Sequence, residues 1–275
     1  MEFSPLLDCR KKTALYSIVT ESHLQFKNDW FLPSLKDDFD LRFKEAAQRG
    51  AGVISTLEFN ACMREKVSLI LQAINENWGS WFIYSDVDIQ FLAPVRKELI
   101  KSLMNSDIAF QRESPTGHLC AGFFVSRANV ATKKLWESVE KRLSLDESIH
   151  DQDALNEILS PSVQCKSFVD FFDYLMFSLG RHIRLLTRNS KICGPLERTF
   201  RMKLISAHNL KVSLLPTSFF GGGTFTGKLW KPGDSLPLPK KPIMHHANYT
   251  VGFENKLSQL QHVHKRVTQS EAFQE

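Results

Sequence analysis

Two acids one residue apart, Asp86 and Asp88, follow the apolar run Trp81–Tyr84 in the stretch WFIYSDVDIQFLAP. Alternate residues of an extended chain point the same way, so both carboxylates can face one side while Val87 returns to the core. Hard oxygen ligands at that spacing suit Mg²⁺ or Mn²⁺, above all where a diphosphate completes the shell. A solvated, Asp-containing turn at a strand end would carry the same residues. Further along, Asp151, Gln152 and Asp153 open a predicted helix. There Asp151 would serve as an N-cap, and Asp153 would complement the helix dipole from the first turn.

The elements that must position these groups follow from periodicity. Thr13–Thr20 (TALYSIVT) is a β-branched and aromatic run that reads as a first buried strand, with a weaker second one near Phe39–Phe43. Leu57–Asn77 has one broad apolar face and carries Arg64 and Lys66; Gly79 stops it. A strand at Trp81–Tyr84, a helix from about Val95 to Met104 and a strand at Ile108–Gln111 come next. They are followed by a strand at Ala121–Ser126, an amphipathic helix at Asn129–Leu143 and a short helix at His150–Leu159. Alternation of strands and helices predicts an α/β domain with a largely parallel sheet and helices on both faces. In such a sheet ligands sit outside the carboxyl ends of the strands, which is where Asp86 and Asp88 fall.

From Ser162 to Leu210 no clean period emerges, and a Phe-rich patch lies at Phe168–Phe177. A strand at Val212–Leu215 leads into a glycine- and proline-rich loop, Pro216–Pro242. After Ile243-Met244, a final polar helix starts at about Glu254. The triplet Gly221–Gly223 lacks the spacing of a phosphate loop. It reads as a loop closing over a ligand, with Phe219, Phe220 and Trp230 as stacking surfaces or as core.

The 275 residues, 43% apolar, suffice for one large globular domain or two small ones, and a single domain with an elaborated C-terminal third is the simplest arrangement. A net charge of +5, without a block of like charges, argues against a nucleic-acid partner. Five cysteines in no regular spacing argue against a disulfide framework and for a reducing compartment. With no signal-peptide pattern and no apolar run of about 18 residues, the expectation is a cytoplasmic protein without a transmembrane segment.

Two phosphate chemistries use a DxD. Haloacid-dehalogenase-type phosphatases would make Asp86 a nucleophile, but they continue with Thr or Val at a fixed place, where this chain has Ile89 and Gln90. The other is that of glycosyltransferases. FIYSDVDIQF, CAGFFVSRAN (Cys120–Asn129), HDQDALNEIL (His150–Leu159) and HHANYTVGFENK (His245–Lys256) occur in an order that resembles the nucleotide-diphospho-sugar transferase family, related to glycosyltransferase families 77 and 8. The resemblance runs from Thr13 to Lys256.

That resemblance implies a GT-A fold and a metal-dependent hexosyl- or pentosyltransferase. Such an enzyme would move a sugar from a nucleotide sugar, a UDP-sugar, to a hydroxyl of a glycan or protein acceptor with retention of configuration. It places Mn²⁺ or Mg²⁺ on Asp86, Asp88 and His246, with His245 as the alternative imidazole. Gly252 and Lys256 would meet the diphosphate, a glycine allowing close backbone approach and a lysine neutralising charge. A surface loop feeding an amphipathic helix, with Lys256 solvated, is the plain alternative. Asp151 would grip hydroxyls of the donor sugar, with Gln152 near its anomeric carbon. Thr20 and Glu21 would lie at the base or ribose, and Lys66 would reach the donor phosphate; solvated polar residues at a strand end and a solvated lysine on a helix surface are the plain alternatives. Small residues at Cys120–Gly122 would leave room for the sugar or equally reflect tight packing. By the same resemblance residues 13–160 form the donor and metal part, 161–256 the acceptor side and 257–275 a polar tail. A phosphatase, or a non-catalytic sugar-nucleotide-binding module, are the competing functions.

Overall fold

The computed structural model describes residues 12–46, 57–159 and 210–271. The Phe-rich patch, most of the Ser162–Leu210 segment and the cysteines at 9, 165 and 193 lie outside them.

A six-stranded sheet forms the centre, in the order β2-β1-β3-β6-β5-β7. Its strands are β1 (Thr13–Thr20), β2 (Phe39–Ala46), β3 (Trp81–Ser85), β5 (Ile108–Arg112), β6 (Leu119–Arg127) and β7 (Val212–Leu214). β1 runs parallel to β2 and β3, and β5 runs parallel to β7. β6 is antiparallel to both its neighbours, so the other five strands share one direction. β1 is buried along its whole length, as its unbroken β-branched and aromatic composition requires of a strand covered on both faces.

Helices α2 (Leu57–Glu76), α4 (Val130–Leu145) and α5 (Asp151–Ile158) pack around one core that includes Ile70, Ile74, Phe82, Phe124 and Trp136. Trp136 stacks on Phe124 at a centroid distance of 5.2 Å. A second core, with Ile83, Phe91, Leu99, Phe123 and Phe219, joins the other face of the sheet to α3 (Arg96–Leu103). Asn129 caps α4 in a reciprocal box with Thr132, accepting from its N–H at 3.0 Å.

Three features lie beyond the sequence expectations. After β1 the chain turns through a short 3₁₀ segment, Glu21–His23, and a π-helical one, Phe26–Phe31, into α1 (Leu32–Ser34), burying Phe26 and Phe31. A second sheet, ordered β4-β9-β8, joins β4 (Ile89–Phe91), β9 (Met244–His246) and β8 (Phe219–Gly221). The last helix, α6 (Phe253–Glu271), is no polar tail: Leu260, Val263 and Val267 recur on one face and are buried.

Candidate metal and donor site

The chain leaves the central sheet at Ser85 and joins the second sheet at Ile89, so Asp86 and Asp88 occupy the crossing between the two. Asp86 N–H donates to Gly122 O at 2.7 Å, and Val87 is buried with Val19, Phe26 and Ala247. Antiparallel pairing of β4 with β9 sets Ile89 opposite His246, and Ala247 N–H donates to Asp88 O at 2.9 Å. This pairing carries the C-terminal histidines to the acidic pair.

Ligand atoms of Asp86, Asp88 and His246 lie within 4.8 Å of one another. His246 Nε2 is 3.3 Å from Asp88 Oδ1, and Lys256 Nζ is 2.5 Å from Asp88 Oδ2. Asp88 is almost wholly buried, which on its own raises a carboxyl's pKa. Lys256 and His246 outweigh that cost and hold it well below the usual range. Burial lowers the pKa of His246, but Asp88 more than compensates and raises it.

The ligand set fits Mn²⁺ or Mg²⁺: two carboxylates and one imidazole form a hard, oxygen-rich cluster. His246 Nδ1 lies 3.0 Å from Gln111 Oε1, and donation there leaves Nε2 facing Asp88. Gly122 supplies the space. A Cβ there would sit 2.5 Å from Asp86 Oδ2 and 2.6 Å from His246 Cε1. The small residue thus makes room for two ligands packed against its backbone.

His245, the alternative imidazole, points the other way. Its Nδ1 lies 3.1 Å from Gln90 Nε2, its ring is 5.0 Å from that of Phe220, and burial pushes its pKa down to about 3. It has the environment of a neutral core histidine.

Asp151 and Gln152 approach from α5. His150, not Asp151, is the N-cap, its Nδ1 accepting from Asp153 N–H at 3.4 Å. Asp151 is buried in the first turn and ion-paired to Lys66 Nζ at 2.9 Å. Gln152 Oε1 accepts from Ala121 N–H at 3.1 Å, tying α5 to the strand beside Gly122.

Lys66 is not on the surface of α2. It is 2% exposed and also lies 3.5 Å from Asp86 Oδ1. Burial opposes its charge, yet Asp151 and Asp86 raise its pKa above that of an ordinary lysine.

Thr20 reaches the end of β1 as expected, but its hydroxyl is engaged by Ser22 Oγ at 3.0 Å and His23 Nδ1 at 2.9 Å. Glu21 is exposed. The group here that feels the acids is His23. Burial, then Lys256, lower its pKa, while Asp88 and Asp86 act in the opposite sense. Only its place in the polar cluster after β1 marked it in the sequence. Gly252, with φ +88°, turns the chain into α6, and its carbonyl accepts from Lys256 N–H at 3.2 Å.

The aromatic loop is core. Phe219 and Phe220 are 0% exposed and Trp230 is 4% exposed, so none offers a face to a sugar. Gly221 and Gly223 lie against the side chains of Asn248 and Tyr249, and Gly222 against Asn248 O and Gln259. The triplet therefore accommodates a tight segment in which Tyr249 takes φ +51°.

Residues 38–260 match the family model described as nucleotide-diphospho-sugar transferase. The chain belongs to this family of glycosyltransferases. Its mainly parallel sheet flanked by helices is the GT-A-type architecture that the motifs imply. Several solved glycosyltransferase structures are similar to this transferase chain. The apo-form GlyE of Streptococcus pneumoniae TIGR4 has a TM-score of 0.44 at 12% identity, covering 90% of this chain and 59% of that one. The bifunctional WbbM has a TM-score of 0.47 at 11% identity, covering 89% and 46%. An enzyme involved in glycosylation of the major capsid of PBCV-1 has a TM-score of 0.45 at 9% identity, covering 91% and 100%. The chain thus spans about half the length of the first two. Among curated proteins, no match is found.

Proposed function

We propose that this family member is a metal-dependent glycosyltransferase that moves a sugar from a UDP-sugar to an acceptor hydroxyl on a glycan or protein, with retention of configuration. The observation that carries the reading is the convergence of Asp86 and Asp88, from the β3–β4 crossing, with His246 of β9, remote in sequence, beside Lys256. A Mn²⁺ or Mg²⁺ ion held by those three residues would supply Lewis-acid stabilisation of the donor diphosphate.

The protein's own groups account for the rest. Lys256 stands in the first turn of α6, where the helix dipole and its ammonium both favour an anion. The charge that grows on the leaving diphosphate is met there. Gln152 is a poor nucleophile, and its amide oxygen is committed to Ala121 N–H. That favours displacement from the front face, in which the departing phosphate oxygen accepts the acceptor proton as the glycosidic bond breaks. Asp151 bounds the sugar side, and Thr20 with His23 bounds the nucleotide side. Cys62 and Cys120 are free, buried thiols, which supports a reducing compartment such as the cytoplasm. Among the described residues no helix is long and apolar enough to cross a membrane.

The test is a panel of UDP-, GDP- and CMP-sugars with Mn²⁺, Mg²⁺ or EDTA, read by melting temperature and by nucleoside diphosphate release. A donor that binds only the native state raises the melting temperature. Metal-dependent stabilisation by a UDP-sugar, with slow UDP release, is expected. Metal-dependent phosphate release from simple monoesters, without any response to sugar nucleotides, would replace this reading with the phosphatase.

A further inference from the structure

We propose that Lys66 is a buried counter-ion locking Asp86 to Asp151, and not a ligand of the donor phosphates. The inference rests on the assignment of Asp86 to the metal and of Asp151 to the donor side.

Its side chain is 3% exposed, and its ammonium stands 2.9 Å from Asp151 Oδ2 and 3.5 Å from Asp86 Oδ1. Asp151 is equally buried, at 4% side-chain exposure, whereas Asp86 is 30% exposed. The ammonium also lies 5.0 Å from the centroid of the Tyr84 ring. Tyr84 Oη in turn donates to the same Asp86 Oδ1, at 3.0 Å. A hydrogen bond from Tyr84 and the longer ion pair with Lys66 therefore both engage Oδ1 from the protein side, while Oδ2 is the oxygen packed toward Gly122 and His246. The Asp86 carboxylate has one structural oxygen and one oxygen turned to the metal cluster.

Charge separates the two roles for Lys66. A buried ammonium is tolerated when paired, and here one cation stands between two acids. To meet a phosphate it would have to leave both, setting two carboxylates against each other in a poorly hydrated interior. As a fixed counter-ion it joins the metal ligand on the β3 exit to the first turn of α5. Lys66 is thus a positioning residue.

The experiment compares wild type, Lys66→Met, Asp151→Asn and the double variant. Three readouts are used: melting temperature in EDTA, UDP affinity at saturating Mn²⁺, and kcat with the UDP-sugar found active. Lys66→Met is expected to lower the metal-free melting temperature by on the order of 10 °C, because it strands two acids. Adding Asp151→Asn should restore at least half of that loss, since it removes one of them. UDP affinity of Lys66→Met should stay within about 3-fold of wild type while kcat falls ~10–100-fold, the range for losing a group that orients a metal ligand. If Lys66→Met does not fold alone, Lys66→Arg, which keeps the charge, should hold the melting temperature and UDP affinity near wild type.

The opposite pattern would overturn the proposal. It is an unchanged melting temperature in EDTA with a tenfold or greater loss of UDP affinity, shared by Lys66→Arg and not relieved by Asp151→Asn. Absence of Mn²⁺-dependent UDP binding in the wild type would instead sink the transferase reading. The metal-free melting temperatures would still decide the role of Lys66.

Discussion

Two regions rich in chemistry-bearing residues end in opposite environments. At the junction of the two sheets, Asp86, Asp88, His246, Lys66 and Lys256 form a mostly buried cluster of alternating charge. A few residues away on the same small sheet, Phe219, Phe220 and His245 are equally buried, but the imidazole is neutral and packed on a ring. His245 and His246 are neighbours in β9 and cannot be told apart by type. Strand alternation separates them, sending one toward Gln90 and Phe220 and the other toward Asp88. Residue chemistry nominates a site here, and register decides which nominees belong to it.

The sharpest way to break this contrast is to remove charge on one side of it. Asp88→Asn should reduce metal-dependent turnover by at least ~100-fold, beyond the cost of losing an outer-shell partner, as measured by initial rates across a Mn²⁺ titration. Phe220→Ala, on the apolar side, should cost about 3–5 kcal/mol of stability in urea unfolding. Its KM for donor and acceptor should stay near wild type, because a core ring touches neither. A selective rise in KM would restore a stacking role.

Gly122→Ala sits on the boundary. The added methyl must displace Asp86 or His246, so ~1–3 kcal/mol of stability should be lost together with Mn²⁺ affinity. Calorimetric titration and chemical unfolding would check the two together.

The last contrast, confined to acid pH, is the response of His245. Its pKa is about 3 when folded, against an ordinary value near 6.5, so between those values the unfolded chain binds more protons. Its contribution to stability is complete above pH 6.5 and is lost as pH falls toward 3, at up to ~1.4 kcal/mol per pH unit. His245→Gln should flatten that part of the stability profile, measured by urea unfolding across pH.

Local pattern was enough for much of the scaffold. The bounds of β1 match TALYSIVT, and the helices at 57–76, 96–103 and 130–145 follow their periodicity to within a few residues. Asp86 and Asp88 were legible because an apolar strand ended in them. What local pattern could not hold is the pairing of β4 with β9, a contact between distant segments that selects His246 over His245. Nor could it show that Lys66 faces inward. A lysine on an amphipathic helix reads as solvated, and only the arrival of Asp151 and Asp86 makes burial of its charge affordable. The glycine triplet misled for a related reason: the atoms that require it, from Asn248 and Tyr249, lie across the fold.

The most direct test of the central claim is calorimetric titration of UDP into EDTA-treated protein, with and without Mn²⁺, for wild type, His246→Ala and His245→Gln. Mn²⁺-dependent binding is expected in wild type and in His245→Gln, with its loss in His246→Ala. UDP binding that is indifferent to Mn²⁺, or equal loss in both histidine variants, would contradict it.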